Sequence, residues 1–390
     1  MYQHVTCKNN RLQQEWMDTK HKKEEQNMSV GKFMQTAANR DYSKEWQGVG
    51  TFPWIFQRAK EPIIGRPYSV RDNYIRCVKG EKPYWMPAYM TESNIIWPDA
   101  MEEHPVPEVD GYDWWGVYWV MVESAGGMIT KPGTRVISDF ANWKEEVEWP
   151  DLSVVDFKTD GEKIQKMLDP DRVHIYECVE GIFERLHEMM PFDETLLAFY
   201  EEPELLEDFF QKMADYKIES CQKIFDNYGR VDGVLYHDDW GTQRSGFFSN
   251  EMFREQIMPA TSRFLKFVKD QGKFIELHSC GKNVQYVPEM IEMGIDMWTP
   301  QAVINDPDLL YEKYGDQMTF AFWLNIDPKA DETEIRKIIR DFVDHFGAKG
   351  RCMPCIMTDM SNPKQSIVAH DELYNYSLEY YNKLYHRETK

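Results

Sequence analysis

Residues 274–281 read Phe274-Ile275-Glu276-Leu277-His278-Ser279-Cys280-Gly281. Side chains two apart on an extended strand share a face, so Phe274, Glu276 and His278 point one way, and Cys280 can join them. Ile275 and Leu277 then face the opposite side, as in a strand covered by helices. The run stops at Gly281, a helical pattern follows, and a second short apolar run ends in Met297-Trp298-Thr299-Pro300-Gln301. This strand–helix–strand unit is the element from which the rest of the chain can be read.

Working outward, short apolar runs alternate with helical patterns from Tyr84 onward. The expected strands are Tyr84–Tyr89, Val173–Cys178, Gly233–His237, Lys273–His278, Asp296–Thr299, Thr319–Asn325 and Gly350–Pro354. A helix is expected over Pro203–Tyr228, where Leu206, Phe210, Met213, Ile218, Cys221 and Phe225 recur on one face. Another runs from Asp331 to His345. It opens on an Asp331-x-x-Glu334 capping pattern, buries Ile335, Ile338, Ile339 and Phe342, and stops at Gly347. Sustained alternation of this kind means α/β architecture with a parallel sheet, and a (β/α)8 TIM barrel fits best. A doubly wound sheet is the alternative, weakened because no G-x-G-x-x-G follows an early strand. The irregular stretch Trp97–Asp171, rich in Trp, Gly and Pro, is expected to insert a small hairpin or lid early in the barrel. Residues 1–67 form an N-terminal extension packed on the barrel or in an oligomer contact, with helices expected around Leu12–Lys23 and Val30–Ala38. Residues 68–390 form the barrel.

The chain has 390 residues, with 45 Lys+Arg against 66 Asp+Glu and a formal charge of −21. Hydrophobic residues make up 42%, enough for a large core, which excludes global disorder. The acidic balance argues against nucleic acid and anionic membrane as partners, because both require clustered Lys and Arg. The first 60 residues run against that trend, with 10 Lys/Arg and 6 Asp/Glu. No apolar stretch reaches the length of a membrane span, and the amino terminus has no secretory h-region. Seven cysteines without a compact disulfide spacing suit a reduced, cytoplasmic setting.

Within the barrel, His278 and Cys280 fall at the carboxyl end of a strand, where barrel enzymes keep their chemistry. Imidazole plus thiolate is the donor mixture that Zn²⁺ takes. A third donor is available in Arg351-Cys352-Met353-Pro354-Cys355, at the end of the last strand. Three ligands with an open position would be a catalytic site; both cysteines together would close it as Cys3His. The competing reading is a core histidine, a small buried thiol and an incidental cysteine pair.

Asp239 follows the strand Gly233–His237 and is the candidate catalytic group, as a base or substrate anchor. His237, Asp238, Trp240, Glu180, Gln301 and Asn325 lie at or just beyond strand ends and are candidate substrate contacts. Glu276 would stand behind His278 and hold its orientation. Trp114, Trp115, Trp119, Trp240, Trp298 and Trp323 are candidates for lining an apolar pocket.

The run LHSCGKNVQYVPEMIEMGIDMWTPQ resembles the uroporphyrinogen decarboxylase superfamily, whose barrel shows H-x-C-G or H-x-D-G, a helix, then a G-(I/V)-D strand. Supporting matches are YSVRDNYIRCVKGEKPYWMPAY, GIFERLHEMMPFDETLLAFYEEPELLEDFF, HDDWGTQRSGFFSNEMFREQIMP, WLNIDP and MPCIMTDMSNPKQSIVAH. They run in order from about residue 68 to 385. True decarboxylases of this type hold substrate carboxylates with an arginine-rich first-strand loop, where this chain reads Tyr89-Met90-Thr91-Glu92. At the metal positions it is similar instead to the cobalamin-linked methyltransferases. That resemblance implies zinc on His278, Cys280 and Cys355, with Cys352 the second choice; here the family's usual P-G-C-G is replaced by Met353-Pro354-Cys355-Ile356.

It further implies methyl transfer between a corrinoid (cobalamin) protein and a small-molecule donor or acceptor, with O-demethylation of a methoxylated compound as one form of it. The corrinoid would be carried by a partner protein, since no D-x-H-x-x-G signature occurs in this chain. A homo-oligomer is compatible with this reading. The alternatives are a decarboxylase of a smaller carboxylate working through Asp239 without metal, and a non-catalytic binding barrel.

Overall fold

In the computed structural model the chain is described over residues 66–103, 110–122, 127–359 and 362–387. Both helices expected before residue 40, and almost all of the expected extension 1–67, lie outside those residues. The strands are β1 (Ser93–Ile96), β2 (Gly111–Tyr112), β3 (Tyr118–Val122), β4 (Gly127–Thr130), β5 (Val173–Cys178), β6 (Gly233–His237), β7 (Phe274–Ser279), β8 (Met297–Pro300), β9 (Thr319–Asn325) and β10 (Cys352–Met357). The helices that matter below are α1 (Val70–Lys79), α2 (Ile182–Met189), α3 (Phe192–Glu201), α4 (Pro203–Asn227), α5 (Met258–Asp270), α6 (Glu332–Phe346) and α7 (Pro363–Leu384). Seven strands follow the sheet order β1-β5-β6-β7-β8-β9-β10, the sequential order of a (β/α) barrel fold. The early insertion is present as a separate antiparallel sheet, β2-β3-β4.

By its internal contacts the chain divides into two compact units. One comprises Ile96–Lys166 and Tyr176–Ile295. Its parallel pair β6–β7 sets Leu235 opposite Glu276 and His237 opposite His278. Helix α4 starts with Pro203 at its first turn, where the missing N–H costs nothing, and buries Leu206, Phe209, Phe210, Met213 and Cys221. Helix α5 packs on it. The insertion belongs to this unit: Trp119 pairs with Thr130 across β3–β4, and Gly111 with Trp119 across β2–β3.

The other unit holds residues 66–95, 167–175 and 296–387. Here β10 lies parallel to β9, with Cys355 opposite Trp323, and β8 lies parallel to β9. Helix α6 carries the expected capping box: the Asp331 carboxylate accepts from the Glu334 N–H, and the Glu334 carboxylate from the Asp331 N–H. Arg336 of α6 then ties to Asp371 and Glu372 of α7, at 3.3 and 2.7 Å.

One expected strand is not formed. Tyr84–Tyr89 is irregular, and the short strand β1 follows it instead. Pro83 and Pro87 remove two backbone donors and bias their neighbours away from a regular ladder. The segment still reaches β10, with the Tyr89 N–H donating to the Pro354 carbonyl at 3.1 Å.

Candidate metal and substrate site

Strand β7 is buried along its length, Glu276 completely, except at His278, which is half-buried near the strand end. Beyond it the chain must turn sharply. Gly281 adopts a φ of 97°, and a Cβ there would stand 2.2 Å from the Gly241 carbonyl carbon. Only glycine therefore allows the loop after β7 to lie against the loop after β6. Hydrogen bonds lace the two loops: the Lys282 N–H donates to the Thr242 carbonyl at 2.8 Å, and the Trp240 N–H to the Ser279 hydroxyl at 3.1 Å. The Asp239 carboxylate accepts from the Cys280 N–H at 2.5 Å. Three donors meet as a result, with a cysteine at their edge. The Cys280 Sγ is 3.4 Å from the His278 Nε2, and the His237 and His278 rings stack at 4.7 Å with 21° between planes. One donor atom each from His237, Asp239 and His278 lies within 4.8 Å of the other two.

Helix α2 supplies what stands behind these donors. The Asp238 carboxylate caps it, accepting from the Glu184 N–H at 2.9 Å and the Phe183 N–H at 3.4 Å. The Tyr236 hydroxyl accepts from the Ile182 N–H at 2.9 Å and donates to Asp238 at 2.8 Å. Gly181 permits this approach, since a Cβ would lie 2.1 Å from the Asp238 carboxyl carbon. The capped turn presents Glu184, whose Oε2 is 2.8 Å from the His237 Nδ1. Burial works against a charged His237 ring, but Glu184, Asp239 and Glu180 together outweigh it and raise the His237 pKa well above the ordinary histidine range.

Acidic groups crowd this region. Glu180, held at a left-handed φ of 51°, stands with Glu184 and Glu188 so that one oxygen of each lies within 4.8 Å of the others. Burial pushes the Glu177 carboxyl up to about 8, with His237 opposing and Glu276 and Glu180 adding to the rise. Glu177 lines a small cleft with Trp97, Pro98, Met101 and Glu103. Burial, then the neighbouring Asp239, holds the Cys280 thiol well above its ordinary pKa. A cation beside it would reverse that shift, because the thiolate is the form that binds metal.

Of the residues singled out from sequence, His278, Cys280, Asp239 and His237 come together. Glu276 lies two residues behind His278 on the same face, and Glu180 adjoins Glu184. Asp238 is fully buried and committed to capping α2, and fully buried Trp240 packs edge-on against Phe253, so neither offers a substrate contact. Trp115 likewise packs on Trp149 and Tyr216, and Trp298 on Phe320; these are core residues, as burial of large aromatic area dictates. Gln301, Asn325, Cys352 and Cys355 lie in the other unit. The Gln301 carbonyl accepts from the Ile304 N–H at the start of a short helix, and Asn325 ends β9 opposite Met357. Cys352 accepts through its carbonyl from the Cys77 thiol of α1 at 3.7 Å, and burial and Cys77 raise its own thiol. Three residues on, Cys355 takes the opposite face of β10, and both side chains are fully buried.

Sequence reading missed Glu184, Glu188 and Arg185. The signal was present as Glu180-x-x-x-Glu184-x-x-x-Glu188, a spacing of four that puts Glu184 and Glu188 on one face of α2 with Glu180 just before its start. Arg185 is fully buried and pairs with Asp113 at 2.8 Å, Glu103 at 3.0 Å and Glu188 at 3.1 Å, fastening the insertion to α2.

The fold is that of a (β/α) barrel, and the adjacent ends of β6 and β7 carry two histidines, a cysteine and an aspartate. Comparison with known proteins narrows this further. The profile of the family described as Uroporphyrinogen decarboxylase (URO-D) matches residues 116–343, more than half of the chain, and the chain belongs to that family. Among solved structures it is similar to a methyltransferase from Methanosarcina mazei, at 14% identity and a TM-score of 0.58, over 78% of this chain and 99% of that one. At that identity the likeness speaks for the fold. No curated protein matches by sequence. Among the described residues no helix is long and apolar enough to cross a membrane.

Proposed function

We propose that the protein is a zinc-dependent methyltransferase that moves a methyl group between a corrinoid carried by a partner protein and a small molecule, with O-demethylation of a methoxylated compound as one form of that reaction. The observation that carries the reading is the 3.4 Å separation of the His278 Nε2 and Cys280 Sγ. Bond lengths of about 2.0 Å to nitrogen and 2.3 Å to sulfur put two ligands of one tetrahedral zinc roughly 3.5 Å apart. The donor set therefore fits zinc in chemistry and in spacing. The name of the Methanosarcina mazei neighbour agrees with the reaction class. The acidic surroundings also disfavour a substrate that must bring several carboxylates, as a porphyrinogen does.

Zinc bound there would supply a Lewis acid, lowering the pKa of a thiol acceptor or polarising the heteroatom of a methyl donor. The chain's own groups do the rest. His278 and Cys280 are held on a strand and a glycine turn, so their spacing is set before any ligand arrives. Asp239 fixes the backbone of Cys280 and keeps a carboxylate beside the reactant position, where it can hold or take a proton. Glu184 orients His237. The deeper carboxyl of Glu177, kept protonated at neutral pH by burial, is suited to donate a hydrogen bond to a substrate oxygen.

The test is zinc content of the purified protein beside Cys280→Ser, followed by methyl transfer to and from free cobalamin. About one zinc per chain, lost in Cys280→Ser together with cobalamin methylation, is the expected result. A well-folded chain that takes up no zinc on supplementation would sink the reading.

A further inference from the structure

Acids outnumber bases in this chain, 66 Asp+Glu against 45 Lys+Arg, so most cations have a carboxylate within reach. Arg135, Arg254, Arg263 and Arg336 each pair with one. Five cations in the unit that holds β8, β9 and β10 do not. Arg76, Lys79 and Lys82 lie at and just past the end of α1, Arg351 immediately precedes β10, and Arg387 follows α7. Among the described residues none of the five is in an ion pair, and Glu81 is the acid that shares their turn.

Packing gathers the five around one short stretch of chain. Arg351 donates to the Val78 and Lys79 carbonyls at 3.4 and 2.8 Å. Arg387 donates to the Pro83 carbonyl at 2.9 Å and also to the Lys82 carbonyl. Arg76 donates to the Glu81 carbonyl at 3.0 Å. The guanidinium carbons of Arg76 and Arg387 stand 5.3 and 4.6 Å from the centre of the Tyr84 ring. Arg387 and the Lys82 ammonium stand 4.8 and 5.6 Å from the centre of the Tyr385 ring.

Helix capping accounts for one of these cations. Gly80 closes α1 in a left-handed turn, its N–H donating to the Cys77 carbonyl at 3.1 Å and the Glu81 N–H to the Arg76 carbonyl at 2.8 Å. Arg351 takes the last two carbonyls. The end of a helix carries only about half a negative charge, so the other four cations repel one another with little to offset them. The backbone contacts fix the guanidinium planes and occupy only part of each one's five N–H donors.

We propose that this turn binds a small phosphate-bearing anion through Arg76, Lys79, Lys82 and Arg387, with Arg351 holding the turn in place. Guanidinium forks match phosphate oxygens in geometry, and the lysines add point charge. The formal charge of −21 selects for small size. A nucleic acid or an anionic membrane extends well past the screening length of about 8–10 Å and meets acidic surface, whereas a phosphate or diphosphate group stays within the patch.

The experiment titrates the full-length chain calorimetrically with orthophosphate, pyrophosphate and ATP, in low-salt buffer without divalent metal. One pyrophosphate per chain is expected. A Lys79→Gln/Lys82→Gln double variant and Arg387→Gln should each weaken it at least tenfold, as loss of a charge-assisted contact dictates. The α5 variant Lys266→Gln, which removes an exposed partner of Asp270, should bind like the wild type. Circular dichroism checks folding; if Arg387→Gln does not fold, the lysine variant decides, since neither lysine makes a hydrogen bond through its side chain. Orthophosphate binding as tightly as pyrophosphate would assign a single phosphate, and ATP binding more tightly would add a nucleoside; both sustain the proposal. Failure of all three anions to bind would overturn it. So would binding that survives unchanged in the lysine variant or falls equally in Lys266→Gln, either of which would show an adventitious ion only.

Discussion

Replacing Arg185 by methionine removes the one guanidinium that three acidic side chains share, while keeping a long apolar stem in the same space. Arg185 is fully buried, and its partners Asp113, Glu103 and Glu188 keep no more than a tenth of their side-chain surface exposed. It also donates to the Glu103 carbonyl at 3.1 Å and lies 5.3 Å from the Trp115 ring centre. Breaking a buried ion pair by deleting one partner costs about 3–5 kcal/mol, because the other charge is left in a poor solvent. Two carboxylates keep other donors: the Trp115 indole N–H donates to Glu103 and the Trp119 indole N–H to Asp113, both at 3.0 Å. A loss of about 4 kcal/mol at pH 7 is therefore the expected size. Burial already raises the Asp113 carboxyl, and Arg185 is the strongest influence holding it down, so the variant should take up a proton there. The penalty should accordingly shrink as pH falls towards 5, where the orphaned acids can neutralise themselves. Equilibrium unfolding in urea, followed by far-ultraviolet circular dichroism at pH 7 and pH 5, measures both numbers. A loss below about 1 kcal/mol at pH 7 would place Arg185 among surface-like pairs and refute the argument. An equal loss at both pH values would show that packing, and not charge, is what the arginine provides.

Two further outcomes can be checked on the same material. Glu177 has a folded pKa of about 8 against an ordinary 4.5, so it holds its proton when folded and loses it when unfolded. Its contribution is fully present below 4.5 and is lost as pH rises to about 8, a slope of roughly 1.4 kcal/mol per pH unit that Glu177→Gln should remove; parallel stability–pH curves for the two proteins would contradict this. Gly281→Ala sets a Cβ 2.2 Å from the Gly241 backbone at a φ of 97°, and strain plus overpacking should cost about 3 kcal/mol and weaken metal uptake; a variant melting with the wild type would show that the two loops are not in contact.

The parts of the fold that could be read from sequence are those where one rule acts alone. Period-two alternation in Phe274–His278 and the Asp331-x-x-Glu334 cap both name their structures because local geometry suffices to satisfy them. Tyr84–Tyr89 has the same apolar character as a strand, yet Pro83 and Pro87 override it, and the deciding residues there were the prolines. At the candidate site, the nearness of His278 and Cys280 was legible because they lie two residues apart at a strand end. The tryptophans were not, since their number says nothing of whether an indole faces a pocket or a neighbouring ring.

Most instructive are Asp238 and Asp239, identical in chemistry and adjacent in sequence. Past the end of β6 the alternation that would tell them apart has ceased. Their fates are decided by what arrives from elsewhere: the first turn of α2, admitted by Gly181, claims Asp238 through two backbone N–H groups, and the turn at Gly281 brings the Cys280 N–H to Asp239. Helix capping and loop contact are non-local here, involving residues 41 and 54 positions away. A carboxylate's role at a strand end is therefore set by which backbone donors reach it first, and two glycines govern that choice.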